Sequence, residues 1–266
     1  MPAPDLLGLC NDLAAEHGDL DAIVAPIAAA EWDLDTPAER WTIRDQIHHL
    51  GWFDRNGALA IDDPSAFTAL MEEMIGDFDG FEKKLASEAR AMSAADLLAW
   101  WRDSRVQILD SVRAADPSLR VPWYGPPMSL ASFATARLME TWAHGQDVAD
   151  ALGASRVPTA RLQHVAHIGV RTRGFSYGVR GLAVPDGEVR VELDAPDGST
   201  WTWGSDGTAD RVTGPALDFC LVVTQRRHLA DTSLKAEGAL AEEWISIAQA
   251  FAGSAGSGRQ PGQFAS

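Results

Sequence analysis

The sequence predicts an α+β protein in two parts, a four-helix bundle over residues 1–153 followed by a smaller α+β domain over 159–252. Three observations carry that expectation. Apolar residues recur at helical spacing through the first 153 residues, while period-two alternation appears only after about residue 186. The length of 266 residues exceeds what one ordinary domain needs.

Leu6, Cys10, Leu13, Leu20, Val24 and Ile27 mark an amphipathic helix within residues 5–30. Thr42 and Asp45 form a T-x-x-D cap that opens a second helix through about Ala60. Ser93 and Asp96 repeat that pattern before a third helix bearing Leu97, Trp101, Ile108 and Val112, which Asp116-Pro117 ends. A proline-rich loop, VPWYGPPMS, leads to a fourth helix over about 130–152, with Gly153 placed to terminate it. Four such helices suggest an antiparallel bundle. In the second half, Thr159 is a candidate cap for a helix over about 160–177. VRVEL and TWTW read as strands separated by the turn Ala195-Pro196-Asp197-Gly198. The run after Gly214-Pro215 fits a helix or a buried strand, and a last helix is expected over 239–251. The Gly/Ser/Pro-rich tail 253–266 reads as disordered.

Composition narrows the function. Asp and Glu number 38 against 22 Lys and Arg, a net charge of −16, which repels nucleic acid and anionic membrane surfaces. No apolar run approaches the length of a membrane span, and the N-terminus carries acids where a signal peptide carries bases. A cytoplasmic protein acting on small molecules is the expectation. Cys10 and Cys220 lie on apolar stretches and read as core, not as nucleophiles or a disulfide.

The chemistry concentrates in WTIRDQIHHL and METWAHGQDVAD. Glu140 and His144 are four residues apart, so one helix face offers a carboxylate and an imidazole to a single ion. His49 is the natural third donor from another helix, with Asp45 one turn behind it as an orienting partner from the second shell. Neighbours on a helix point about 100° apart, so His48 and His49 do not both reach one ion. On spacing alone, a Glu–His pair also reads as a solvated face, and a histidine near Ile43, Ile47 and Leu50 as core.

WTIRDQIHHL resembles the W-[TS]-[VI]-R-D-x-x-x-H-L signature of the DinB-like, mycothiol-dependent maleylpyruvate isomerase superfamily, and METWAHGQDVADALG resembles its second metal segment. The stretch WTWGSDGTADRVTGPALDFCLVVTQRRH is similar to the C-terminal module that accompanies this bundle in actinobacterial members. The resemblance implies a DinB-like bundle, a metal held by His49, Glu140 and His144, and mycothiol as cosubstrate. Some relatives' C-terminal modules carry a tRNA-modifying label, a reading the charge of −16 disfavours.

Two imidazoles and a carboxylate suit zinc, and nickel or ferrous iron also accept them. Three protein ligands leave a position open for a thiol, held there as thiolate. The expected function is metal-dependent isomerisation of, or thiol transfer to, a small organic acid or electrophile. A metal-dependent hydrolase, lyase or cyclase without thiol, or a non-catalytic binding protein, stays open as the alternative. Trp123, Tyr124 and Met128 read equally as a wall of the substrate pocket or as a plain structural crossover. The arginine clusters holding Arg171, Arg226 and Arg227 read either as ion pairs with the many Asp and Glu residues or as anchors for a substrate carboxylate between the metal and the C-domain.

Overall fold

The computed structural model describes residues 5–253, 255–256 and 258–264. It divides into two compact units, the first ending at Arg156 and the second beginning at Val157.

The first unit contains α1 (Leu6–Val24), α2 (Ile43–Asp62), α3 (Pro64–Gly76), α4 (Phe78–Ala91), α5 (Ala94–Ala114) and α6 (Leu130–Leu152). Helices α1, α2, α5 and α6 pack on one another as the bundle, and α3 and α4 lie against α2. Leu20, Val24, Trp32, Ile43, Ile47, Leu50, Leu97, Trp101 and Val148 form one buried cluster between them. α1 stops short of the expected boundary: Ala25 still has helical angles, but Pro26 after it has no N–H to continue the ladder. α3 and α4 fill the stretch between the expected second and third helices, where no element was expected. Asp63 and Asp77 nonetheless cap them, with Pro64 at the first helical position.

The WTIRD segment is explained by its contacts. Thr42 and Asp45 close the capping box that starts α2. Arg44 pairs with Asp33 at 2.9 Å and donates to the carbonyls of Ala89 and Met92, satisfying the open end of α4. The chain reverses just before this segment. Thr36 N–H bonds the Trp41 carbonyl at 2.8 Å, and Arg40 takes the left-handed conformation (φ 69°) that delivers Trp41 to the start of α2.

β-structure also occurs within the first unit, against the expectation of helices alone. β1 (Arg120–Val121) and β2 (Met128–Ser129) pair antiparallel and clamp the ends of the WYGPP loop. Two-residue strands are too short for alternation to reveal them. Ser129 then caps α6, which ends at Gly153 in the left-handed conformation (φ 62°).

The second unit runs α7 (Leu162–Arg171), α8 (Arg173–Gly178), β3 (Arg190–Asp194), β4 (Thr200–Trp203), β5 (Arg211–Pro215), α9 (Ala216–Val223), β6 (Lys235–Glu237) and α10 (Ala239–Ile247). Its sheet has the order β4-β3-β5-β6, with β3 and β5 parallel and the outer pairs antiparallel. Val191, Leu193, Val212, Phe219 and Trp244 are buried in its core. The expected helix over 160–177 is broken at Thr172, whose hydroxyl donates to the carbonyls of Ile168 and Gly169. Thr159 does not cap it; Arg161 precedes Leu162 without a side-chain cap. At Gly214-Pro215 strand β5 ends and α9 begins, so the run that follows is a helix as far as Val223 and not a buried strand. The last helix ends at Ile247, where Ala248 is extended.

Of the tail 253–266, residues 254, 257, 265 and 266 lie outside the described residues. In the remainder, Gly262 N–H bonds Asp231 at 2.8 Å. No helix among the described residues is long and apolar enough to cross a membrane.

Candidate metal centre

α2 and α6 bring His49, Glu140 and His144 together, with one ligand atom from each lying within 4.8 Å of the others. Glu140 Oε2 is 3.2 Å from His144 Nε2 and 3.6 Å from His49 Nε2. Donors around tetrahedral zinc at about 2.0–2.1 Å lie about 3.4 Å apart, so the cluster has nearly the spacing that such an ion requires. The three side chains are 13–21% exposed, shielded yet open on one side.

The outer partner of His144 is Gln46, which is fully buried. His144 Nδ1 contacts Gln46 Oε1, and Gln46 Nε2 donates to Thr36 Oγ1 at 2.9 Å, whose hydroxyl donates to the Trp41 carbonyl at 2.8 Å. Since an amide oxygen only accepts, Nδ1 carries the proton and Nε2 turns a lone pair toward Glu140. Asp45, expected behind His49, is instead committed to the helix cap, its Oδ2 accepting from the Thr42 N–H and hydroxyl at 2.9 and 2.7 Å. His48 points elsewhere. It is buried and stacks on Trp100 at 5.0 Å.

The electrostatics favour a cation. Burial alone would raise the Glu140 carboxyl, but the contacts with His144 and His49 outweigh it and hold the group well below the usual carboxylate range. Burial, with His144 beside it and Arg137 further off, pushes the His49 imidazole down to about 4 despite the pull of Glu140. Glu140 is therefore ionised beside a His49 that is neutral above about pH 4.

A second charged cluster, which the spacing gave no reason to assemble, joins the same two helices. Arg137 donates from Nε to Asp54 Oδ1 at 2.9 Å and from Nη2 to the Leu50 carbonyl at 3.4 Å. His17 of α1 places Nε2 3.5 Å from Asp54 Oδ2. All three residues are almost fully buried. The available signal was that Arg137 precedes Glu140 by one helical turn.

The remaining residues of interest divide between the units. In the first, Trp123 and Tyr124 are half-buried on the loop clamped by β1 and β2, and Met128 lies in β2. In the second, Arg171 is exposed. Arg226 donates to the Thr224 carbonyl at 2.7 Å, and the Arg227 guanidinium sits 4.2 Å from the Phe264 ring centre. Cys10 and Cys220 are fully buried and burial pushes both thiols up, so the chain presents no reactive thiol of its own among these residues.

A family model described as the mycothiol maleylpyruvate isomerase N-terminal domain matches residues 13–149. One described as wyosine base formation matches residues 185–237. Two uncharacterized proteins of Mycobacterium tuberculosis, from strains H37Rv and CDC 1551, are each 49% identical over 248 residues, covering 93% of this chain and 96% of theirs. The crystal structure of the mycothiol-dependent maleylpyruvate isomerase superposes with a TM-score of 0.59 at 14% identity, covering 84% of this chain and 90% of that one. A histidine-to-alanine mutant of that enzyme gives 0.58 at 13%. At such identity these structures establish the fold.

Proposed function

Because the chain belongs to the DinB-like mycothiol maleylpyruvate isomerase family, we propose that it is a metal-dependent enzyme that uses mycothiol to isomerise, or to transfer sulfur to, a small organic acid or electrophile. The observation that carries this reading is the convergence of His49, Glu140 and His144 at donor spacings of 3.2 and 3.6 Å. Zinc is the proposed ion, and when bound it would supply a positive charge that holds a thiol as thiolate at neutral pH.

The chain's own residues prepare the site. Gln46 accepts from His144 Nδ1 and orients its ring, Glu140 stays ionised, and His49 stays neutral above about pH 4. Both cysteines are buried, so the thiol comes from outside. Trp41 lies 5.6 Å from the His144 ring and 5.0 Å from the His49 ring and limits water at the ligands. For an acidic substrate, the proposal assigns the carboxylate to Arg171, Arg226 and Arg227. Alanine at these positions should raise the KM for an acidic substrate and leave metal content unchanged. The proposed location is cytoplasmic.

The test is consumption of an electrophile by metal-loaded protein with and without mycothiol. Turnover that requires both the metal and the thiol is the expected result. Full turnover without thiol would transfer the protein to the hydrolase, lyase or cyclase class.

A further inference from the structure

We infer that the second unit carries a binding site of its own, a cationic cavity that takes a small phosphate monoester with an apolar body. The cavity has a volume of about 150 Å³, room for a benzene-sized group. Its described lining belongs wholly to the second unit. Arg180 follows α8, Arg227 and His228 follow α9, and Arg259 comes from the tail, so three separate segments deliver three guanidiniums and an imidazole to one concavity. All four residues are half-buried. Among the described residues that line the cavity there is no Asp or Glu, in a chain where acids outnumber bases by 38 to 22.

The chain's own contacts hold these groups in place. Helix α9 ends in a tight reversal, in which the Gln225 N–H bonds the Val222 carbonyl at 2.9 Å and the Arg226 N–H bonds the Leu221 carbonyl at 2.7 Å. Gln225 occupies the left-handed position of that reversal (φ 60°), where glycine is the usual residue. A side chain is kept there against the backbone's preference. It lines the cavity, and its Nε2 donates to the Ala248 carbonyl at 3.2 Å, tying the turn to the segment after α10. The same turn carries Arg227 and His228. The Arg227 guanidinium lies 4.2 Å from the Phe264 ring centre, a contact that engages its face and not its N–H edge. His228 Nδ1 accepts from the Ala230 N–H at 3.0 Å, so the other ring nitrogen is the donor. Arg180 uses one of its five N–H groups on the Ser176 carbonyl, at 3.0 Å.

The ligand class follows from the donors and from the rest of the lining. One guanidinium fork satisfies a carboxylate. Three guanidiniums and an imidazole N–H instead match the three terminal oxygens and nearly double negative charge of a phosphate monoester. Val222, Ile245 and Ala248, all buried, supply an apolar part of the lining. The carbon body of the ester loses water-exposed surface against them, a gain that inorganic phosphate cannot make. The site goes beyond the proposed thiol chemistry and shares only Arg227 with the carboxylate anchor assigned there.

Calorimetric titration of the full-chain protein as purified, with phenyl phosphate, inorganic phosphate and benzoate as probes, tests the site. Phenyl phosphate should bind at least about ten-fold more tightly than either of the others. Arg180→Gln and Arg259→Gln should each weaken it about ten-fold through loss of a charge-assisted contact. Arg180→Lys should restore part of the affinity, and Arg113→Gln, on α5 of the first unit, should leave it unchanged. Chelation of metal should also leave it unchanged. Benzoate binding as tightly as phenyl phosphate, wild-type affinity in both glutamine variants, affinity lost with the metal, or no binding of any probe would overturn the inference. Thiol and turnover do not enter the titration, so its outcome is independent of the thiol reading.

Discussion

Helices α2 and α6 take part in two histidine–carboxylate clusters, one of them completed by His17 of α1, and the contrast between them explains why one is suited to a metal. In the inner cluster, Asp54 faces His17 but also a guanidinium, since Arg137 Nη2 lies 2.9 Å from it. In the outer cluster, Glu140 faces two imidazoles, of which His49 is held neutral to about pH 4. The inner carboxylate already has its cation built into the chain. The outer one does not, and it stands at the half-open edge of the bundle. The same residue types therefore do opposite work: a sealed pair fixes α2 against α6, while an uncompensated set beside it can accept a dication. A carboxylate–histidine cluster becomes a metal-site candidate through the missing internal charge as much as through its spacing.

The largest effect should come from breaking the inner cluster. Asp54→Ala leaves Arg137 buried without its carboxylate and should cost about 3–5 kcal/mol of unfolding free energy. Glu140→Gln, at the outer cluster, should change the metal-free protein by less than about 1 kcal/mol. Urea unfolding of both variants measures the difference, and equal losses would erase the distinction between the clusters.

The next effect concerns orientation. Gln46→Leu removes the acceptor on His144 Nδ1 and should lower zinc affinity about 10–100-fold with the fold intact. His48→Ala should keep wild-type affinity, because His48 stacks on Trp100 away from the donors. Zinc retained in Gln46→Leu but lost in His48→Ala would reverse the assignment of the outer cluster.

How far the sequence revealed these clusters depends on what each residue signals locally. The i, i+4 pair Glu140/His144 is a short-range fact, and the resemblance of WTIRDQIHHL and METWAHGQDVADALG to the family's metal segments joined His49 to it, so the outer cluster was legible. Arg137, Asp54 and His17 become partners only when three helices pack, and no short-range spacing joins them. Asp45 shows the opposite error. Its place one turn before His49 suggested an orienting role, but capping, a still shorter-range interaction, claims it. The bundle itself was visible in apolar periodicity, whereas α3 and α4 were missed although Asp63-Pro64 and Asp77 mark where they begin.

Acid should separate the states further. The unfolded His49 takes up a proton near 6.5 and the folded one only at about 4, so the folded state binds fewer protons across that window and loses stability as pH falls through it. Asp54 and Glu140, both held low, contribute stability that is present above the ordinary carboxyl range and is lost as pH falls through their depressed folded values. The urea midpoint of metal-free protein should fall from pH 7 to pH 4, and His49→Gln should flatten the part above pH 4. A midpoint that rises over this interval would contradict the account. The smallest effect belongs to the cap: Thr42→Ala should cost about 1 kcal/mol while zinc content is unchanged.

Elemental analysis of the purified protein, paired with zinc titration of the stripped protein, tests the central claim most directly. One divalent ion per chain is the expected result, lost in His49→Ala, Glu140→Gln and His144→Ala and retained in His17→Ala. An ion that persists in the first three variants, or a folded wild-type chain that takes up none, would contradict the assignment of the outer cluster as the metal centre.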